Sequence, residues 1–105
     1  MQSTDQILQQ IKKSVLASYP DATLILYGSY ARGDNKKDSD IDILVLLDKD
    51  KITYADRRKV GDPLYHIELD VDIRISPRIC SKKRWETTQR ITPFYHNVLR
   101  EGRSL

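Results

Sequence analysis

The stretch Gly28-Ser29-Tyr30-Ala31-Arg32-Gly33, then Ser39-Asp40-Ile41-Asp42 and the apolar run Ile43-Leu44-Val45-Leu46-Leu47, decides how this chain is read. Alternate residues of a strand share a face, so Asp40 and Asp42 converge while Ile41 and Ile43 point the other way. Two carboxylates on one face repel each other unless a cation lies between them. A glycine-serine turn just ahead of such a pair is a way to hold a nucleotide's phosphates against divalent metal. Two-metal phosphoryl-transfer sites hold their ions about 3.5–4 Å apart. Gly28 has no Cβ and lets the backbone approach a phosphate closely. Ser29 offers a hydroxyl and an amide N–H to phosphate oxygens. Asp42 interrupts an apolar strand, where an uncompensated carboxylate is costly, so a functional role is expected of it.

Working outward, Ile7, Leu8, Ile11, Val15 and Leu16 recur at helical spacing. Ser3 with Gln6 forms a candidate capping box at the start of that helix, and Pro20 marks its end. Ala22 to Tyr27 reads as a buried strand, Arg32 to Ser39 as a charged loop, and Ile41 to Leu47 as an inner strand covered on both faces. The charge run Asp48-Lys49-Asp50-Lys51 ends it. Thr53 to about Leu69 reads as helix, either kinked or split at Gly61-Asp62-Pro63. Asp70-Val71-Asp72-Ile73-Arg74-Ile75 alternates polar and apolar and predicts a third strand. Ser81 is placed as the cap of a helix to about Arg90. Thr92-Pro93 opens a last helix with Phe94, Val98 and Leu99 facing inward, and Gly102 ends it. The expectation is one α/β (α+β) domain over residues 1–105, a mixed β-sheet with helices mainly on one face.

With 105 residues the chain builds one core. No apolar run approaches the roughly 20 residues of a membrane span, and the N-terminus lacks a secretory apolar segment. A lone cysteine, Cys80, forms no internal disulfide, so a cytoplasmic home is expected. The formal net charge is +3, with basic clusters at Arg57-Arg58-Lys59 and Lys82-Lys83-Arg84. No aromatic residues interleave with these charges to stack bases. They are expected to be solvated helix surface, and nucleic acid is not the expected partner.

In the order GSYARG…SDIDILV, the chain resembles the nucleotidyltransferase superfamily typified by DNA polymerase β, and in particular its minimal single-domain members. Ile75-Ser76-Pro77, Ser81 to Glu86 and the ending Phe94 to Gly102 look like the second half of those small proteins. The resemblance implies that Asp40 and Asp42 ligate metal, with two Mg²⁺ ions expected, and that ATP is the nucleotide donor. Gly28, Ser29, Arg32 and Ser39 are the candidate nucleotide-binding residues. Arg32 has a planar fork suited to phosphate and an alternative role as a structural partner of Asp34 or Asp38; Ser39 either caps a turn or touches phosphate. The family's third carboxylate, a metal ligand and proton acceptor, falls on Asp70 or Asp72 of the third strand, with Asp72 preferred as the deeper. His66, His96 and Cys80 are left out of the chemistry.

Minimal nucleotidyltransferases commonly occur beside a small helical HEPN protein in toxin–antitoxin pairs. The resemblance therefore implies an antitoxin that transfers AMP from ATP to a tyrosine of that partner. Trp85, Phe94 and Tyr95 are expected to help form the shared surface, in a hetero- or homo-oligomer. Two alternatives stand beside this. One is a non-catalytic antitoxin that binds nucleotide and partner. The other is a homodimeric enzyme that modifies a small molecule such as an antibiotic.

Overall fold

The capping box predicted at the N-terminus forms. Ser3 Oγ accepts the Gln6 N–H at 3.2 Å and Gln6 Oε1 accepts the Ser3 N–H at 2.9 Å, opening helix α1 at Thr4–Ser18. The computed structural model describes residues 2–105. Strand β1 (Thr23–Tyr27) follows, then a one-turn helix α2 (Ser29–Arg32), strand β2 (Ile41–Leu47), the long helix α3 (Tyr54–Val71) and strand β3 (Ile75–Ser81). Helix α4 (Lys82–Glu86), a 3₁₀ turn (Thr88–Ile91), helix α5 (Pro93–Glu101) and a short strand β4 (Arg103–Ser104) complete the chain.

The sheet order is β3-β2-β1-β4. Strand β2 runs antiparallel to β1 and parallel to β3, so the sheet is mixed as expected. Period-two alternation divides its side chains. On one face Leu24, Leu26, Ile41, Ile43, Val45 and Leu47 pack beneath Ile7, Ile11 and Val15 of α1 and Val60 and Leu64 of α3. Each such fully buried aliphatic side chain contributes about 1.5–3 kcal/mol. On the other face Leu44 and Leu46 pack with Trp85 of α4 and Val98 of α5. These shorter helices cover only that end of the face and leave the start of β2 uncovered by core. No helix among the described residues is long and apolar enough to cross a membrane.

Several boundaries differ from expectation, each for a physical reason. Asp70 and Val71 continue α3, and Asp72 is its C-cap in the left-handed region at φ 56°. The alternation read as strand is the end of a helix and a turn that tucks Val71 and Ile73 against the core. Strand β3 starts at Ile75, whose N–H donates to Glu68 Oε1 at 2.8 Å. Pro77 is tolerated inside β3 because that strand is a sheet edge. Helix α3 is a single element despite Pro63, held by Val60 and Leu64 on either side of the missing donor. The helix capped by Ser81, whose Oγ accepts the Arg84 N–H at 3.0 Å, stops at Glu86. Leu99 faces outward, 61% exposed. Gly102 ends α5 with φ −71°; it is needed because a Cβ would overlap Val98 O and the Ile25 side chain where α5 crosses β1.

One buried charge ties the layers together. Asp56, in the first turn of α3, accepts from Tyr19 Oη at 2.6 Å, Lys49 Nζ at 2.7 and 2.8 Å, and the Thr53 N–H at 2.9 Å. Lys49 and these other donors hold its carboxyl well below the usual carboxylate range. Burial, then the same carboxylate, pushes the Tyr19 hydroxyl up to about 12. A depressed folded-state pKa contributes stability that is present above the unfolded value of about 3.9 and lost as pH falls through the folded value. The raised Tyr19 value acts in the opposite sense, its contribution being lost between about pH 10 and 12. Asp56→Ala is expected to cost about 2–3 kcal/mol in urea unfolding at neutral pH, because Tyr19 and Thr53 lose their acceptor. The difference between variant and wild type should shrink as the buffer is made strongly acidic.

Candidate active site

The site forms where β1 ends, α2 begins and β2 starts. Gly28 takes φ 75°, ψ −158° as the N-cap of α2, a conformation that glycine adopts without steric cost. Its special geometry has a second cause: a Cβ at Gly28 would overlap the Asp42 carboxylate. The backbone turn and the carboxylate therefore touch. Asp42 lies opposite Tyr27 of β1 and Ser76 of β3, and Asp40 accepts from Ser76 Oγ at 3.2 Å. Asp40 and Asp42 are half-buried on the sheet face that the main helices leave open.

The electrostatics follow from this packing. Burial, then the charge of Asp40, pushes the Asp42 carboxyl up; Arg32 opposes them and Glu101 adds to the rise. The Tyr27 hydroxyl is also raised, first by burial and then by Asp42, with Arg78 opposing. The pair is an under-neutralised anionic pocket, a donor set of hard oxygens that suits a divalent cation. Mg²⁺ commonly takes one or two protein carboxylates and completes its shell with water and substrate phosphate, so these residues fit that ion.

The other predicted residues divide. Ser29 opens α2 directly behind Gly28, and its hydroxyl makes no side-chain hydrogen bond among the described residues. Arg32, at the end of α2, pairs with Asp34 at 3.1 Å and with Glu101 at 2.9 Å; its Nη2 has no protein acceptor among the described residues. Ser39 Oγ accepts the Lys36 N–H at 2.7 Å and shapes the loop ahead of the Asp pair. Asp72 is not brought to the pair: it caps α3 in an exposed turn, and Asp70 lies on α3. Among the described residues no three His, Cys, Asp or Glu side chains gather where they could hold a metal. The β3 position beside the pair carries a hydroxyl, Ser76, where a third carboxylate was expected.

One participant escapes the sequence reading. Glu101, the last residue of α5, accepts the Gly28 N–H at 3.2 Å through one oxygen and Arg32 Nη1 at 2.9 Å through the other. Arg32 holds the Glu101 carboxyl below its usual range. The only signal for it in the sequence is its place at the helix end before Gly102, which says nothing of a partner some seventy residues away.

The comparisons agree with this geometry. The model of the nucleotidyltransferase domain family matches residues 8–98. A Methanocaldococcus jannaschii protein bearing the name of a protein adenylyltransferase is 37% identical over 79 residues, covering 73% of this chain and 79% of its own. A second of that name from the same organism is 35% identical, covering 78% and 75%. Among solved structures, a toxin–antitoxin with AMP-PNP matches with TM-score 0.58 at 19% identity, covering 95% of this chain and 69% of its own. A Sulfolobus solfataricus chain described as a nucleotidyltransferase gives 0.54 at 24%, covering 77% and 69%. The glycine turn against a strand carboxylate pair is thus embedded in a domain matched along most of its length, and the chain belongs to the nucleotidyltransferase family, among the minimal DNA polymerase β-like members.

Proposed function

We propose that this chain transfers AMP from ATP to a hydroxyl acceptor, a tyrosine of a HEPN-type helical partner, as the antitoxin of a toxin–antitoxin pair. The observation that carries the reading is the contact between the Gly28 turn and the Asp42 carboxylate. It brings a phosphate-approachable backbone and a cation-seeking pair of acids to the same point. The toxin–antitoxin with AMP-PNP that shares the fold, and the relatives named as protein adenylyltransferases, support the choice of nucleotide and of a protein acceptor.

In this reading the acceptor hydroxyl attacks the α-phosphorus in line, the bond to the pyrophosphate oxygen breaks, and the hydroxyl proton passes to solvent. Catalysis is mainly positioning and charge stabilisation. Ser29 offers its hydroxyl to the phosphate tail. Arg32, steadied through Nη1 by Glu101 and through Nε by Asp34, presents its remaining Nη2 edge. Asp40 and Asp42 would hold Mg²⁺, which neutralises phosphate charge and polarises the phosphoryl oxygens when bound. Ser76 orients Asp40 by donating its hydroxyl. Trp85 does not belong to the partner surface, since it is buried in the second core cluster at 5% exposure. The outward Ile91 and Leu99, at 88% and 61% exposed, offer apolar surface beside α5 instead.

A second reading has one observation in its favour. With Ser76 beside Asp40 and Asp42, the acid that would take the acceptor proton is missing from β3, as in a nucleotide-binding antitoxin that acts by occlusion.

Incubation with α-³²P-labelled ATP, Mg²⁺ and the partner protein separates the two. Label is expected on the partner, falling by about 10²–10³-fold in Asp40→Asn/Asp42→Asn. Tight complex formation with no label from the wild type would leave only occlusion. Gly28→Ala is expected to abolish binding of a fluorescent ATP analogue, because the new methyl displaces the Asp42 carboxylate. It should also cost about 1–3 kcal/mol in unfolding, the usual penalty for a forced backbone.

A further inference from the structure

The two basic clusters of the sequence meet in one place. Arg57 from the first, on α3, and Arg84 from the second, on α4, face a cleft of about 610 Å³ together with Arg78 of β3 and Lys51. Asp50 is the one acid among its lining residues. The lining thus carries a net charge of three positive units, equal to the formal +3 of the whole chain. Elsewhere Arg32, Lys49 and Arg58 sit in ion pairs. Among the described residues no carboxylate pairs with Arg57, Arg78 or Arg84. Arg78 instead lies over the Phe94 ring at 4.1 Å, which fixes the guanidinium without neutralising it.

The three charges converge. Burial pushes the Cys80 thiol up, and Arg84, Arg78 and Arg57 each pull it back, so all three act on the same sulfur. The cleft also adjoins the candidate active site. Arg78 is paired in register with Leu44, two residues along β2 from Asp42 and on the same face. That spacing is about 7 Å along a strand, and Tyr27 senses both Asp42 and Arg78.

We propose that this arginine cleft docks an acidic polypeptide segment of the acceptor protein, holding its target hydroxyl beside the Asp pair. The inference rests on the nucleotidyl-transfer reading for its acceptor and on the cleft alone for its chemistry. Guanidinium forks match carboxylates bidentately. The cleft follows the free edge of the sheet, lined by the consecutive residues Pro77 to Ser81 of β3, a shape that suits an extended peptide. It suits nucleic acid poorly, because base stacking needs open aromatic faces. Trp85 is buried and the Phe94 ring is covered by Arg78.

Fluorescence anisotropy with a labelled Glu-rich Glu–Tyr copolymer tests this on the intact chain without nucleotide. The copolymer is expected to bind, weakening as salt is raised, while a Lys–Tyr copolymer does not. Arg57→Gln/Arg84→Gln, which keeps the Arg78–Phe94 stack, should lose about tenfold in affinity, equivalent to about 1.4 kcal/mol. Adding Arg78→Gln should deepen the loss. Arg58→Gln, a change at an exposed ion pair outside the cleft, should bind like wild type. Equal binding of both copolymers, or unchanged affinity in a double variant that melts like wild type, overturns the proposal. Tighter binding of oligouridylate, lost in the same variants, also overturns it by making the cleft an RNA site. Binding is read without ATP. Absence of AMP transfer by the wild type therefore bears only on the catalytic reading, and failure to bind the copolymer bears only on the cleft.

Discussion

The close approach of the Gly28 backbone to the Asp42 carboxylate is the constraint on which the site depends. An acid in the middle of a sheet is normally expelled to solvent or paired. Here Asp42 is held half-buried, beside a like charge and against a turn with no side chain to shield it. The arrangement raises the free energy of the charged carboxylate, through burial and the neighbouring Asp40. A glycine with positive φ is what allows the turn to come so near. The rest of the fold can be read as the means of keeping that contact in place.

Three elements do the keeping, and they come from distant parts of the chain. Strand β2 is locked from both sides, antiparallel to β1 and parallel to β3, with Leu44 to Leu47 buried on both faces. That sets the depth of Asp42. Helix α5 reaches back so that Glu101 bridges Gly28 and Arg32. This fixes the turn and the guanidinium together. The buried Asp56 joins the end of α1, the loop after β2 and the start of α3, which braces the opposite end of β2.

Much of this was legible residue by residue. The capping box at Ser3 and Gln6, the span of β2 and the Asp40–Asp42 pairing on one face follow from local rules, and the structure has them as read. The errors share a cause. Asp70-Val71-Asp72-Ile73 satisfies a period of two and also the end of a helix. Only the register of β3 on β2, which begins at Ile75, chooses between them. That choice moves Asp72 away and sets Ser76 beside Asp40. Helical spacing alone places Leu99 inward, yet α5 turns its Phe94 and Val98 side to the sheet.

What the sequence by itself determined was the local chemistry: a glycine-serine turn, two acids at strand spacing and a family resemblance along nearly the whole chain. These signals need only neighbouring residues, because backbone geometry alone dictates which side chains share a face. Tertiary structure alone decided the long-range partners: Glu101 on Gly28 and Arg32, Ser76 on Asp40, and three arginines around one cleft. Such contacts depend on strand register and helix rotation. Both are settled by how the whole core packs, and no stretch of the chain carries that information alone.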